Sequence, residues 1–379
     1  MTLEECRKQI DETDKEITKL FCKRMEISKN VALYKKENGM KVFDSERERA
    51  LLDKIEENAG AYGNSARRLY GTMLELSRAY QQSIIAPQSA ISKTVQNAIA
   101  ATPDLFPEKA VTACQGIEGA YSSRACEKLF AKPSIMYFTG FEAVFKAVEK
   151  ELCEFGIVPL ENSSAGSVNE IYNLMDKYKF SIVRSTKIHI VHSLLTKENI
   201  KKEDIRTIYS HPQAISQCSE FISSLKNVAV VPCENTAIAA QRAAKEGGTT
   251  AAIASPECEN QYGLVTVQRA VQNFSNNYTR FICFSKTVRI YPGADRTSLL
   301  IKTPNRPGAL YDVMAKFNAL GINIIKLESR PMPDTDFEFM FYFDIDASVY
   351  SDKILKITGE LENSLGSENV KYLGSYREV

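Results

Sequence analysis

Residues 155–168 read Phe155-Gly156-Ile157-Val158-Pro159-Leu160-Glu161-Asn162-Ser163-Ser164-Ala165-Gly166-Ser167-Val168. A short apolar run ends in a loop with four amide or hydroxyl side chains, Asn162, Ser163, Ser164 and Ser167, and a helical pattern follows. Short apolar runs that alternate with helical stretches indicate an α/β domain. The same grammar extends outward on both sides, from Ala110 to about Ser285. Upstream, residues 110–114 lead into Gly116-Ile117-Glu118-Gly119-Ala120-Tyr121-Ser122 and a helix. Downstream, residues 207–209 end in Ser210-His211-Pro212-Gln213-Ala214, and residues 228–231 lead through Glu234-Asn235-Thr236 into an Ala-rich helix. Residues 277–284 read as a strand that begins with polar residues. Glycines and polar groups where strands end and helices begin let the backbone approach an anion, so the loops at 116–122 and 161–168 predict a cleft for an anionic ligand. The 116–122 loop is neither a dinucleotide fingerprint nor a Walker A loop. The plainer use of residues 161–168 is to cap a helix.

Different patterns flank this segment. Residues 1–86 contain no proline and are rich in helix formers. Residues 87–108, with Pro87, Pro103 and Pro107, read as a linker around a short helix at 91–101. After a turn-rich joint at 291–295, residues 297–379 carry a β-α-β-β-α-β pattern, a ferredoxin-like unit. Within it, Phe337, Phe339, Phe341, Phe343 and Ile345 alternate with Glu338, Met340, Tyr342 and Asp344, which predicts a half-buried strand. The chain therefore reads as multidomain: all-α over 1–86, a linker over 87–108, α/β over 109–285 and α+β over 297–379.

Composition narrows the function. Lys plus Arg is 48 and Asp plus Glu is 47, a balance that argues against a dedicated nucleic-acid binder. No apolar run is long enough to cross a membrane, and the N-terminus lacks the pattern of a secretory signal. Nine cysteines without a Cys-x-x-Cys pair argue against a disulfide framework and for a cytoplasmic setting. The three histidines, His189, His192 and His211, form no metal site of recognisable spacing with them.

The N-terminal helix carries a heptad seam: Leu3, Cys6, Ile10, Thr13, Ile17, Leu20, Arg24, Ile27, Val31 and Tyr34. Such a seam packs along its length against partner helices. Arg24 within it needs a carboxylate, from a ligand or from the protein, because an unpaired buried charge is costly. A register-setting role is the alternative. A second helix starts near residues 44–48, where Ser45 and Glu48 have capping-box spacing and Asp44, Arg47 and Glu48 share a face. A third runs from about Ser65 to Ile85, with Ser77 and Gln81 beside its apolar seam. Arg7 lies 17 residues before Arg24, roughly 25 Å along a helix. If Arg7, Arg24 and Lys35 serve one small ligand, Arg7 must come from a second chain.

These positions resemble the all-helical chorismate mutase family: Arg7, Arg24, Lys35, Asp44, Arg47, Glu48, Ser77 and Gln81. The resemblance implies an intertwined dimer and the Claisen rearrangement of chorismate to prephenate, without a cofactor. The reaction needs a dicarboxylate held in a near-attack conformer and negative charge stabilised on the ether oxygen. Arg7, Arg24 and Arg47 are the implied carboxylate clamps. Lys35 and Gln81 are the implied donors to the ether oxygen. Asp44 and Glu48 would bind the substrate hydroxyl, with Ser77 in support.

In the α/β segment, Pro-Leu-Glu-Asn-Ser-Ser-Ala-Gly-Ser at 159–167, Ser-His-Pro-Gln-Ala at 210–214 and Thr-Arg-Phe at 279–281 together resemble prephenate dehydratase. That family has two α/β lobes, like a small-molecule (periplasmic-type) binding protein, with the site between them. The implied reaction removes carbon dioxide and the ring hydroxyl from prephenate to give phenylpyruvate. Thr279 is the implied donor to the departing hydroxyl. Arg280 would hold a carboxylate or orient the strand. Glu161, Asn162, Ser163 and Gln213 would line the cleft, and Phe281 would offer the departing carboxylate an apolar setting. His211 is the better acid by its ordinary pKa, but a His before Pro at a strand end more often serves structure.

Asn305-Arg306-Pro307-Gly308-Ala309-Leu310 and Leu327-Glu328-Ser329-Arg330-Pro331 resemble the ACT domain attached to prephenate dehydratases. The resemblance implies L-phenylalanine as effector, bound through Asn305, Gly308, Ala309, Leu310, Glu328 and Ser329 between paired domains. Pairing at both ends of the chain implies a homodimer or homotetramer. The competing reading is a two-lobed solute receptor with helical and ACT dimerisation modules. The missing signal, Arg24 in the seam and the Thr-Arg-Phe strand count against it.

Overall fold

The computed structural model describes residues 2–40, 42–85, 89–331 and 339–379, with the side chains of residues 82 and 83 excepted. Four helices come first: α1 (Leu3–Glu37), α2 (Ser45–Asn58), α3 (Gly63–Ile85) and α4 (Ala90–Ala101). Then follow β1 (Lys109–Gln115), α5 (Tyr121–Leu129), β2 (Lys132–Phe138), α6 (Phe141–Glu149), β3 (Phe155–Asn162), β4 (Gly166–Ser167), α7 (Asn169–Tyr178) and β5 (Ser181–His189). The next run holds β6 (Ser193–Thr196), β7 (Thr207–Ser210), α8 (Pro212–Gln217), α9 (Ser219–Ser224), β8 (Ala229–Pro232), α10 (Thr236–Glu246), β9 (Thr250–Ala254), α11 (Cys258–Tyr262) and β10 (Val265–Gln268). The last elements are β11 (Tyr278–Ser285), β12 (Arg296–Thr303), α12 (Ala309–Ala319), β13 (Asn323–Pro331), β14 (Phe339–Asp346), α13 (Asp352–Leu365) and β15 (Val370–Glu378).

Contacts divide the chain into two compact units, residues 1–94, 301–341 and 349–371 in one, and residues 95–300, 342–348 and 372–379 in the other. The C-terminal βαββαβ order is as the sequence predicts, but its residues are shared between the units.

In the first unit, α1 opens with a capping box: Thr2 Oγ1 accepts from Glu5 N, and Glu5 Oε2 accepts from Thr2 N. α1 packs on α3 through Ser28 and Ala32, which lie beside the heptad seam. The seam itself faces outward. Leu3, Ile10, Ile17, Leu20, Ile27 and Tyr34 are each more than half exposed. Asp44, not Ser45, caps α2, its Oδ1 accepting from Arg47 N at 3.0 Å.

The expected linker is more ordered than its composition predicts. Residues 90–101 form α4, with Ile91, Val95 and Ala98 buried. Further along, Phe106 packs at a tilt against Phe130, with ring centroids 4.9 Å apart, and lies under the Arg184 guanidinium at 3.6 Å. Pro87 lies outside the described residues.

The second unit has two sheets. In the larger, β5, β11, β3, β1 and β2 are neighbours in that order, β4 pairs with β3, and the end of β15 runs parallel to β5. The smaller has the order β10-β6-β9-β7-β8. The chain leaves the first sheet after β5 and returns to it at β11, which makes two α/β lobes. Buried alanines on α10 (Ala239, Ala240 and Ala243) let that helix sit close against the second sheet.

Three local expectations change. Residues 161–168 cap no helix: β3 runs through Asn162 and turns back as β4, and no side chain caps α7. Strand β14 is buried on both faces, because Tyr342 packs edge-on against Tyr172 at 4.8 Å and Asp344 is consumed by a polar cluster. Phe337 and Glu338, which would open that strand, lie outside the described residues. Phe281 belongs to the apolar core with Phe155, Ile157, Val183 and Cys283, and is 1% exposed. It cannot line a ligand cleft as the sequence reading assigns.

Candidate active sites

The first cluster lies between α1 and α3. Ser28 Oγ and Ser77 Oγ are 2.8 Å apart, and Gln81 Nε2 donates to Ser77 Oγ at 3.2 Å. Arg24 Nη1 donates to Met73 O at 3.4 Å. Ser77 and Gln81 are buried, although their flanking sequence marks them as surface residues. Gln81 Oε1 is buried with no hydrogen-bond partner among the described residues. Lys35 Nζ donates to Val42 O at 2.6 Å. The structure thus brings together Arg24, Ser77 and Gln81. Asp44 is occupied in capping α2, and Glu48 pairs with Arg78. Arg7 and Arg47 are exposed. Two guanidinium side chains of the expected set therefore remain outside the cluster in a single chain.

The second cluster lies where β11 meets β3. Thr279 opposes Asn162, and Arg280 opposes Glu161. The next rung pairs Phe281 with Pro159, so Leu160 is an extra residue that shifts the register at this point. Bulges of this kind re-aim side chains beside functional sites. Asn162 is the hub. Its Nδ2 donates to Thr279 Oγ1 at 2.9 Å and to Asn277 Oδ1 at 2.8 Å. Its Oδ1 accepts from the N–H groups of Ser164 and Ala165, which closes the turn into β4. Because Thr279 Oγ1 accepts from Asn162, its own hydrogen is free to be donated elsewhere.

The second lobe reaches this cluster through α8. Gln217 Nε2 lies 3.5 Å from Asn162 Oδ1, and Gln217 Oε1 lies 3.0 Å from His192 Nε2. That contact fixes the His192 proton on Nε2, facing Gln217 Oε1. Burial pushes the His192 imidazole below its ordinary pKa. The sequence reading names Gln213 instead, which is exposed and donates its backbone N–H to His211 Nδ1. His211 thereby caps α8, the structural role expected of a His before Pro, and burial lowers its pKa. Ser163 is exposed; its Oγ accepts from Tyr278 N and donates to Asn276 O. Gln217, Asn277 and His192 carry no motif of their own, and only the pairing of distant strands places them here.

Arg280 is not available as a substrate clamp. It is 3% exposed and contacts Glu161 Oε1 at 3.2 Å, Tyr376 OH at 2.7 Å and the Asp344 carboxylate. Burial works to lower the pKa of the guanidinium, but Tyr376 and Asp344 outweigh it and raise the pKa above its ordinary value. Its guanidinium is spent on protein side chains, which leaves only the second of the two uses the sequence offers, orienting the strand.

In the C-terminal segment, Gly308 sits at the start of α12 with φ +82°, a backbone that favours glycine, and Ala309 is buried behind it. Leu310 and Glu328 are half-buried, while Asn305 and Ser329 are exposed. Ser329 shares the open face of β13 with Ile325 and Leu327. Tyr311 is exposed.

All nine cysteines are free. Among the described residues, no cluster of His, Cys, Asp or Glu can hold a metal ion, and no helix is long and apolar enough to cross a membrane.

Three family models match the chain: chorismate mutase type II over residues 6–82, prephenate dehydratase over 112–289 and the ACT domain over 297–356. The arogenate dehydratase/prephenate dehydratase 1 of Arabidopsis thaliana is 34% identical over 282 residues, which cover 69% of this chain and 70% of that protein. The bifunctional chorismate mutase/prephenate dehydratase of Escherichia coli K12 is 29% identical over 383 residues, covering 98% of this chain and 95% of the relative. Among solved structures, the prephenate dehydratase of Arthrobacter aurescens in complex with L-Phe has a TM-score of 0.64 and 25% identity, over 70% of this chain and 90% of that one.

Proposed function

Because the chain belongs to the prephenate dehydratase family, we infer that its two clusters catalyse consecutive reactions. The chain is a bifunctional enzyme of phenylalanine biosynthesis. Its N-terminal helices rearrange chorismate to prephenate, and its α/β lobes convert prephenate to phenylpyruvate. The observation that carries this reading is the coverage: relatives with both activities align along nearly the whole chain. No cofactor enters either reaction.

For the rearrangement, Arg24 binds a substrate carboxylate, and Gln81, whose amide needs no change of protonation, donates to the ether oxygen. Lys35 is the second donor. Asp44 and Glu48 receive the substrate hydroxyl, with Ser77 holding Gln81. Arg7 of a second chain, and Arg47, complete the clamp. The outward apolar seam of α1 supports this pairing, because a heptad stripe of that length is stable only when covered. The working molecule is a homodimer or homotetramer in the cytoplasm.

For the dehydration, the free hydrogen of Thr279 is donated to the departing ring hydroxyl while carbon dioxide leaves and the ring becomes aromatic. Asn162, Ser163 and Gln217 frame that position, while Glu161, which the sequence reading also places in the cleft, is turned to Arg280 on the other face. L-Phenylalanine regulates the enzyme by binding through Asn305, Gly308, Ala309, Leu310, Glu328 and Ser329, with different affinity for two states of the chain.

An NMR time course of purified protein with chorismate alone tests both activities. Transient prephenate followed by phenylpyruvate is expected. Accumulating prephenate would remove the role given to Thr279. Unchanged chorismate from a folded protein would refute the mutase reading.

A further inference from the structure

Thr279 and Arg280 are consecutive on β11, so their side chains leave opposite faces of the strand. Thr279 meets Asn162 on one face. On the other, Arg280 meets residues supplied by the C-terminal segment. Asp344 on β14 is fully buried; its Oδ2 accepts from Arg280 Nη1 and its Oδ1 from Ser298 Oγ. Tyr376 OH on β15 lies 2.7 Å from Arg280 Nη2 and 2.8 Å from Ser298 Oγ. Tyr342 OH donates to Ser298 Oγ at 3.1 Å. Glu378 Oε2 stands 3.3 Å from Arg280 Nε. Buried ion pairs add little stability over a well-packed apolar pair, so stability alone does not account for this one. What it does supply is a fixed orientation for the residue next to Thr279, and for Glu161, which precedes Asn162 on β3.

We propose that Asp344 is a positioning residue for the dehydration. Through Arg280 it fixes the β11–β3 rung that presents Thr279 to the departing hydroxyl, and Ser298 and Tyr376 in turn hold Asp344. This rests on the dehydratase reading above. The device makes the geometry of the dehydratase strand depend on β12, β14 and β15, all three drawn from the segment that matches or adjoins the ACT domain.

The test is Asp344→Asn in the full-length protein, which keeps the shape and removes the charge. With supplied prephenate, kcat is expected to fall about 10- to 100-fold with KM little changed, since misplacing a reacting group by about 1 Å has that effect on rate. Mutase activity of the same preparation, an internal measure of folded protein, is expected to stay at the parental level. In an Arg280→Met background, Asp344→Asn is expected to give no further loss of kcat, because the group it acts through is gone. Tyr376→Phe replaces that pair if Arg280→Met does not fold, and is expected to lower kcat in the same direction. Parental dehydratase kcat in folded Asp344→Asn would overturn the proposal, as would fully additive losses in the double variant or parental kcat in Tyr376→Phe. Absence of phenylpyruvate from the parent protein would instead refute the dehydratase reading, so the two failures are distinguishable.

Discussion

Thr279 Oγ1 accepts a hydrogen bond from Asn162 Nδ2 at 2.9 Å, from a residue 117 positions away in sequence. The direction of that bond supports the donor role proposed for Thr279. An amide N–H can only donate, so the hydroxyl keeps its own hydrogen for a ligand. Thr279→Ala is expected to lower dehydratase kcat about 10²- to 10³-fold, the usual effect of removing one aimed donor. Thr279→Ser is expected to retain most of the activity.

Reversing the bond is the sharper test. In Asn162→Asp, the carboxylate would still accept from Ser164 N and Ala165 N but would also take the Thr279 hydrogen. Phenylpyruvate formation is expected to drop nearly as far as in Thr279→Ala, with the fold intact by circular dichroism. Normal turnover by Asn162→Asp would show that Thr279 is not the donor.

Gln81 makes a pH prediction for the other site. Its amide donates at every pH, whereas a carboxyl donates only when protonated. Gln81→Glu is expected to lose about 10²- to 10³-fold of mutase kcat near neutrality and to recover part of it as the pH falls. A pH–rate profile parallel to that of the parent would remove Gln81 from the ether oxygen.

The exposed seam of α1 and the separation of Arg7 from Arg24 predict sites shared between chains. Arg7→Ala and Arg24→Ala are each expected to abolish mutase activity while sparing dehydratase activity on supplied prephenate. Co-refolding the two variants should restore roughly a quarter of parental mutase activity, since half of randomly paired dimers carry one intact site. No recovery, with mixed dimers demonstrated, would place Arg7 and Arg24 of the same chain in the same site or outside it.

His192 links stability to pH. Burial depresses its pKa below the ordinary value of 6.5, so the folded state favours the neutral ring. The unfolded chain binds the proton first. Its contribution is therefore complete above about pH 6.5 and is lost as the pH falls through the lower folded value. The melting temperature is expected to drop between pH 7 and pH 5, and His192→Gln should flatten that drop. An equal drop in both proteins would exclude His192 as its source.

Much of this organisation is legible in the sequence, because it is local. Strand and helix order follow from apolar period and turn residues, and the β11 strand and the α8 cap at His211 follow from a few neighbours each. Arg24 stands out alone as a charge in an apolar seam, but Ser77 and Gln81 are reachable only as part of a spaced set, since each alone has the sequence surroundings of a surface residue. The loop at 161–168 misleads for a stated reason: Asn162 spends its side-chain oxygen on Ser164 and Ala165, which makes a hairpin rather than a helix cap.

The sequence by itself determined the three patterns and the reaction types they resemble, through spacing along single elements; that spacing also requires a second chain if Arg7, Arg24 and Lys35 serve one ligand. Tertiary structure alone decided which side chains are consumed by partners within the protein. Phe281 went to the core, Arg280 to Asp344 and Tyr376, and Gln217 to Asn162 in place of Gln213. The physical reason is that strand register and burial are set by partners more than a hundred residues away along the chain, as between β3 and β11, and no local pattern encodes which rung a side chain will share.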